Sequence, residues 1–186
     1  MAFNTTSPTD PTEQQLVQRA ISGDSEAFGA LYTLYLDSIY RYVYFRVGDA
    51  HESEDLTEEI FVKAWEALPE YQVRQYPFKS WLYLIAHNLT VDYYRMHKPL
   101  PLAALDLNDS GALLRATEDA VEREEILKTL AAGILRLTEE EQQIIILRFV
   151  EGLSHQEVAG IIGKSVEACR VFLHRALIKL DGNLKG

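Results

Sequence analysis

Apolar side chains in this chain recur three and four residues apart. Over residues 25–47, Phe28, Leu31, Tyr35, Ile39, Tyr42 and Val43 share one stripe of a helix of period 3.6. Over 53–68 the inner face is Leu56, Ile60, Ala64 and Leu68. Over 77–96 it is Trp81, Ile85, Leu89 and Tyr93, beside Leu82 and Ala86. No sustained alternation of period two occurs, and no Asn-Gly or Asp-Gly turn sits between two alternating runs. The pattern therefore allows an all-α fold and excludes a sheet.

Helix-stop and helix-start residues divide this pattern. Thr12 with Gln15 has the form of a capping box for a short helix over 12–21, ended by Gly23. Gly48, Pro69 and Pro99 are further stops, and Pro77 opens a helix. Thr138 with Glu141 and Ser154 with Glu157 are two more capping boxes. Gly152 and Gly163 are stops, and Ser165 caps a last helix that runs to about Leu180. Residues 1–11 are rich in Thr, Ser and Pro and read as disordered. Residues 99–117 hold two prolines and then Asp106, Asn108, Asp109, Ser110 and Gly111, which marks a linker, with a helix resuming at Glu118. The expected organisation is two small helical domains, 12–98 and 134–186, joined by a flexible acidic linker, 99–133.

Eighteen basic residues against 28 acidic ones leave a formal charge of −10 over 186 residues. Phosphate binding needs Lys and Arg, so the total argues against nucleic acid. The distribution qualifies this. Residues 49–70 carry net −7, with Lys63 alone against eight acids, whereas 71–98 carry net +3 and 153–186 net +2. No run of apolar residues is long enough to span a membrane, and the N-terminus lacks the basic and apolar regions of a secretory signal. The one cysteine, Cys169, falls on a buried helix face and fits a reducing cytoplasm. The five histidines show no i, i+4 ligand pair, so no metal and no other cofactor is expected. No nucleophile–base pair, Gly-rich phosphate loop or carboxylate pair can be named, which argues against an enzyme and a small-molecule substrate.

Residues 154–180 have the shape of a helix-turn-helix. A short helix carries Val158, Ala159, Ile161 and Ile162, and Gly163 supplies a left-handed turn at no Cβ cost. The second helix buries Val166, Cys169, Leu173, Ala176, Leu177 and Leu180 by spacing. It shows Glu167, Ala168, Arg170, Val171, His174, Arg175, Ile178 and Lys179 outward. In such motifs the start of the second helix meets base edges, with Arg170 the best reader here and Arg175 next. Upstream, Tyr76, Phe78, Trp81, Tyr83, Tyr93 and Tyr94 interleave with basic and amide groups between 76 and 98. Rings can stack on unstacked bases, amides can bond their edges and cations can hold the backbone. Core packing is the competing role for these rings, above all for Trp81.

Taken together, residues 16–98 and 137–180 resemble a bacterial RNA polymerase sigma factor of the extracytoplasmic-function (ECF) type. Residues 49–68 are similar to the acidic helix that docks on the clamp of the polymerase's largest subunit. The resemblance implies polymerase contacts from Asp55, Glu58, Glu59 and Lys63, with Phe61 and Trp65 at the edges. Residues 78–98 resemble the segment that opens and reads the −10 element. It implies Asn88 for a flipped base, Trp81 beside it, Asp92, Arg95 and Lys98 along the helix, and Arg74, Tyr76 and Lys79 over the single strand. Residues 137–180 resemble the −35 reader, implying Ser165, Glu167, Ala168, Arg170, Val171, His174 and Arg175. Many family members carry a Ser-Arg pair where Val171 and Phe172 stand here. That departure removes a phosphate contact and lowers the salt slope by about 0.9.

The function implied is a transcription initiation factor whose partners are core polymerase, promoter DNA and an anti-sigma factor, acting in the cytoplasm without inserting into the membrane. Two alternatives are a sigma-like decoy that sequesters an anti-sigma factor and a stand-alone helix-turn-helix regulator.

Overall fold

The computed structural model describes residues 11–72, 77–96 and 129–185, apart from 131 and 135. Among them there is no strand. The fold is carried by α1 (Pro11–Ile21), α2 (Ser25–Val47), α3 (Ala50–Ala67), α4 (Phe78–Met96), α5 (Glu139–Ile145), α6 (His155–Ile162) and α7 (Val166–Lys185), with further helical residues at 129–130 and 132–134. A 3₁₀ turn at Leu68–Glu70 follows α3 where Pro69 interrupts it, and a π-helical turn, Ile146–Val150, extends α5. The linker and the helix expected from Glu118 lie largely outside the described residues.

Most boundaries follow the capping chemistry. Asp24 caps α2, its carboxylate accepting from the amides of Glu26 and Ala27 at 3.0 and 3.1 Å. The Ala27 amide, together with Arg19, holds that carboxyl below its usual range. Asp49 caps α3, which begins three residues before the expected start. Both capping boxes in the C-terminal half form as the spacing predicts. The one at Thr12 does not: the chain is already helical at Pro11, the first residue described in this half, which places Thr12 inside α1.

α1, α2, α3 and α4 pack around Leu31, Ile39, Tyr42, Ile60, Leu68 and Leu82. The core face of α4 is rotated from the stripe read in the sequence. Phe78, Leu82, Tyr83, Ala86 and Thr90 are buried, while Trp81, Ile85, Leu89 and Tyr93 are half-buried at the margin. α5, α6 and α7 form the second unit around Ile144, Leu147, Val158, Ala176 and Leu180. Leu177, expected inside, is 40% exposed. The two units are not separate, since α4 packs directly on α6 and the buried apolar residues of both halves form one continuous cluster.

Candidate nucleic-acid interface

The outer face of α3 is a row of acids. Asp55, Glu58 and Glu59 are exposed, as is Lys63, which pairs with Glu66 at 3.6 Å. Trp65 is partly exposed, with its ring 4.9 Å from Phe28. Phe61 does not belong to this face. It is 4% exposed, edge-on to Tyr32 at 4.6 Å, because the α3 stripe turns it toward α2. Its contribution is to packing, and it is not available as a polymerase contact.

α4 presents two distinct sides. On one, Asn88, Asp92 and Arg95 are exposed, the last two paired at 3.3 Å. Trp81 borders this side, its ring 4.7 Å from Tyr71 and 5.5 Å from Phe78. On the other side, Lys79, Ser80, Tyr83 and His87 meet the C-terminal unit. Lys79 Nζ donates to the Glu151 carbonyl at 2.7 Å, and Ser80 Oγ donates to Glu157 at 2.7 Å. The Tyr83 hydroxyl donates to the Glu151 carboxylate, which Arg41 also grips with Nε and Nη2, each at 3.2 Å. Burial beside that carboxylate raises the Tyr83 phenol well above its usual range, so it stays a donor.

A second contact lies next to the first. Arg46 is fully buried and donates to the Glu139 carbonyl at 3.0 Å and to its carboxylate at 2.9 Å, under the Tyr94 ring. The Gln143 amide meets His87 Nδ1 at 2.9 Å. With its oxygen turned that way it also accepts from both terminal nitrogens of Arg46 at 3.2 Å. Burial, reinforced by the Arg46 charge, pushes the His87 imidazole down to about 4.

The helix-turn-helix is built as the spacing predicts. Gly163 takes φ +67° and no side chain lies within 4 Å of where its Cβ would be, so backbone conformation alone selects glycine. The Lys164 amide donates to the Ala159 carbonyl at 3.1 Å, closing the turn. Ser165 Oγ accepts from the Ala168 amide at 3.1 Å as the cap of α7. Glu167, Arg170, Val171, His174 and Arg175 are exposed and Ala168 is half-exposed, whereas Cys169 is buried. Lys164 pairs with Glu140 at 3.0 Å and lies over the Phe172 ring. α7 continues past Leu180 to Lys185, held by Lys179 on Glu141 at 2.6 Å and by Asn183 on the Gly133 carbonyl at 3.1 Å.

Two family models match the chain: Sigma-70 region 2 over residues 31–99 and Sigma-70 region 4 over residues 127–180. The chain is 33% identical over 181 residues to the ECF RNA polymerase sigma factor SigD of Mycobacterium tuberculosis, covering 91% of this chain and 82% of that protein. The chain belongs to the ECF RNA polymerase sigma factors. The sigma factor is also 35% identical over 164 residues to BldN of Streptomyces coelicolor; the match covers 88% of this chain but only 62% of that relative. Among solved structures it resembles CnrH in complex with the cytosolic domain of CnrY, with a TM-score of 0.72 and 25% identity over 94% of this chain and 97% of that one. It is thus a transcription initiation factor of the kind that directs polymerase to promoters.

Of the sigma factor's expected site residues, Arg74, Tyr76 and Lys98 lie outside the described residues. Asn88, Asp92 and Arg95 share one open face, and Ser165, Glu167, Ala168, Arg170, Val171, His174 and Arg175 share another. Lys79 faces the C-terminal unit instead of open solvent. Phe78 and Tyr83, read among the base-stacking aromatics, are core residues. The sequence reading missed the contact between the units altogether. Arg41 and Glu151 lie 110 positions apart, and no local pattern joins them. No helix among the described residues is long and apolar enough to cross a membrane.

Proposed function

We propose that this sigma factor docks core polymerase through Asp55, Glu58, Glu59, Lys63 and Trp65 on α3. In this reading the Asn88–Asp92–Arg95 face of α4 reads the −10 element with Trp81, Arg74, Tyr76 and Lys98, and the exposed start of α7 reads the −35 element. Lys79 joins the −10 contacts once it leaves Glu151. The observation that carries the reading is the order of three outward faces: acidic on α3, amide-and-charge on α4, and basic on α7. The protein makes no covalent bond itself; polymerase does the chemistry, in the cytoplasm. Its net charge of −10 disfavours DNA binding by the free chain, so recognition belongs to the complex with polymerase. An anti-sigma factor is a further partner in this reading; CnrH, which the chain resembles, was solved with the cytosolic domain of CnrY, which supports a protein partner here.

Reconstitution with bacterial core polymerase, followed by transcription-start mapping on genomic DNA, tests the function. Purified protein alone should shift promoter DNA poorly, and core polymerase should restore the shift. Glu58→Lys with Glu59→Lys should weaken core binding without lowering the melting temperature. Tight sequence-specific binding by the free protein, or failure to start transcription at any genomic promoter, refutes the proposal; the latter would favour the decoy.

A further inference from the structure

The exposed start of α7 is charged or polar except at one large side chain. Val171 is 50% exposed, between Arg170 and the His174–Arg175 pair one turn on. Its neighbour Phe172, the other apolar residue of the pair, is turned inward beneath Lys164 at 5.1 Å. Ile178 is also exposed, but seven residues further along it lies about 10 Å down the helix axis. A recognition helix reads with its N-terminal turns, and the major groove is about 12 Å wide, so Val171 lies within reach of base edges and Ile178 does not. In the major groove the apolar group on offer is the 5-methyl of thymine.

We propose that Val171 is a specificity-determining residue that packs on the methyl group of a thymine in the −35 element. The inference rests on the reading of α7 as the −35 reader and adds a base preference to it. Arg170 and Arg175 flank Val171 with positive charge, which suits the negatively charged walls of the groove. In the family resemblance a small polar residue at position 171 suits a polar contact; valine here exchanges that for a methyl contact.

The test uses holoenzyme reconstituted with core polymerase, on the strongest promoter found by start mapping. Each thymine of the −35 element, on either strand, is replaced singly by deoxyuridine, which removes only the methyl group. Wild-type holoenzyme should bind about fourfold more weakly at one position, the effect of losing one buried methyl-sized contact. Val171→Ala should be indifferent at that position, and Val171→Thr, which keeps a γ-methyl, should stay sensitive. The proposal is overturned if every deoxyuridine is neutral for wild type, if Val171→Ala stays as sensitive as wild type, or if the −35 element holds no A·T pair. Loss of core binding by Val171→Ala, with no methyl dependence, would assign the side chain to a protein partner instead. Scrambling the whole −35 element separates the two levels: if scrambling has no effect, the −35 reading falls with the proposal, whereas sensitivity to scrambling without sensitivity to the methyl overturns the proposal alone.

Discussion

Glu151→Ala should release the C-terminal unit from α4. The Glu151 side chain is 2% exposed and holds two groups from the other unit, the Arg41 guanidinium and the Tyr83 hydroxyl. Arg41 is 41% exposed, so on losing its partner it can turn to water, and screening limits that contribution to about 1 kcal/mol. Tyr83 is fully buried, and its hydroxyl would lose its charged acceptor and keep only the Ser38 hydroxyl beside it, a cost of about 1–3 kcal/mol. The contact should therefore weaken by about 2–4 kcal/mol, which changes the ratio of joined to parted forms by roughly 30- to 1,000-fold. Small-angle scattering of the free protein reads the change as a larger radius of gyration, and calorimetry reads it as two separated transitions. Tyr83→Phe removes the donor together with its bond. The double variant Glu151→Ala/Tyr83→Phe should therefore be less destabilised than the sum of the single variants by about 1 kcal/mol or more. Strict additivity, with scattering unchanged from wild type, would refute the assignment of Glu151 as the centre of the contact.

Acid should loosen the same contact by another route. His87 is held neutral, with its folded value at about 4 against about 6.5 unfolded, so its contribution is complete above pH 6.5 and is lost as the pH falls toward 4. At pH 5 the loss is about 2 kcal/mol, and thermal melts of His87→Gln should show a flatter acid limb than wild type. Phe61→Ala should cost about 3–5 kcal/mol of stability, readable by urea titration. At a temperature where it remains folded it should bind core polymerase normally, in contrast to the Glu58/Glu59 reversals. Gly163→Ala should cost about 1–2 kcal/mol from the left-handed backbone alone. If its melting temperature is unchanged, the turn has relaxed to another conformation.

Local chemistry made much of this fold legible in the sequence. The Ser154–Glu157 box, Gly163 and the Ser165 cap specify the helix-turn-helix within twelve residues, and every one of them forms. The α3 stripe is also right, because that helix buries a single face; the α2 stripe holds from Leu31 to Val43, but Tyr44, Arg46 and Val47 beyond it are buried as well, Arg46 against the C-terminal unit. α4 is different. It is clasped between α2 and α3 on one side and α6 on another, so its burial is set by two neighbours and its true core face, Phe78–Leu82–Ala86, sits one residue from the stripe read in the sequence. The same cause assigned Tyr83 to bases when it serves a buried carboxylate. Glu151 looked like one more acid in an acidic chain; its role depends on residues 68 and 110 positions away. The α7 face was legible as a surface, since its spacing alone separates Cys169 and Leu173 from Arg170, Val171 and Arg175.

The seating of α6 on α4 carries a consequence of scale. Helices in contact have axes about 8–10 Å apart. Elements centred near −10 and −35 lie about 25 base pairs apart, or ~85 Å of straight duplex at about 3.4 Å per step. No straight promoter can touch the Asn88 face and the Arg170 face while the two helices stay together. The stretch between Met96 and Thr129 can reach at most about 120 Å when fully extended, enough to cover that length. On the proposed reading of the Asn88 and Arg170 faces, full promoter recognition requires the molecule to exchange one protein–protein seam for two protein–DNA seams. The strength of the Glu151 and Arg46 contacts then sets a threshold that polymerase and promoter must together exceed.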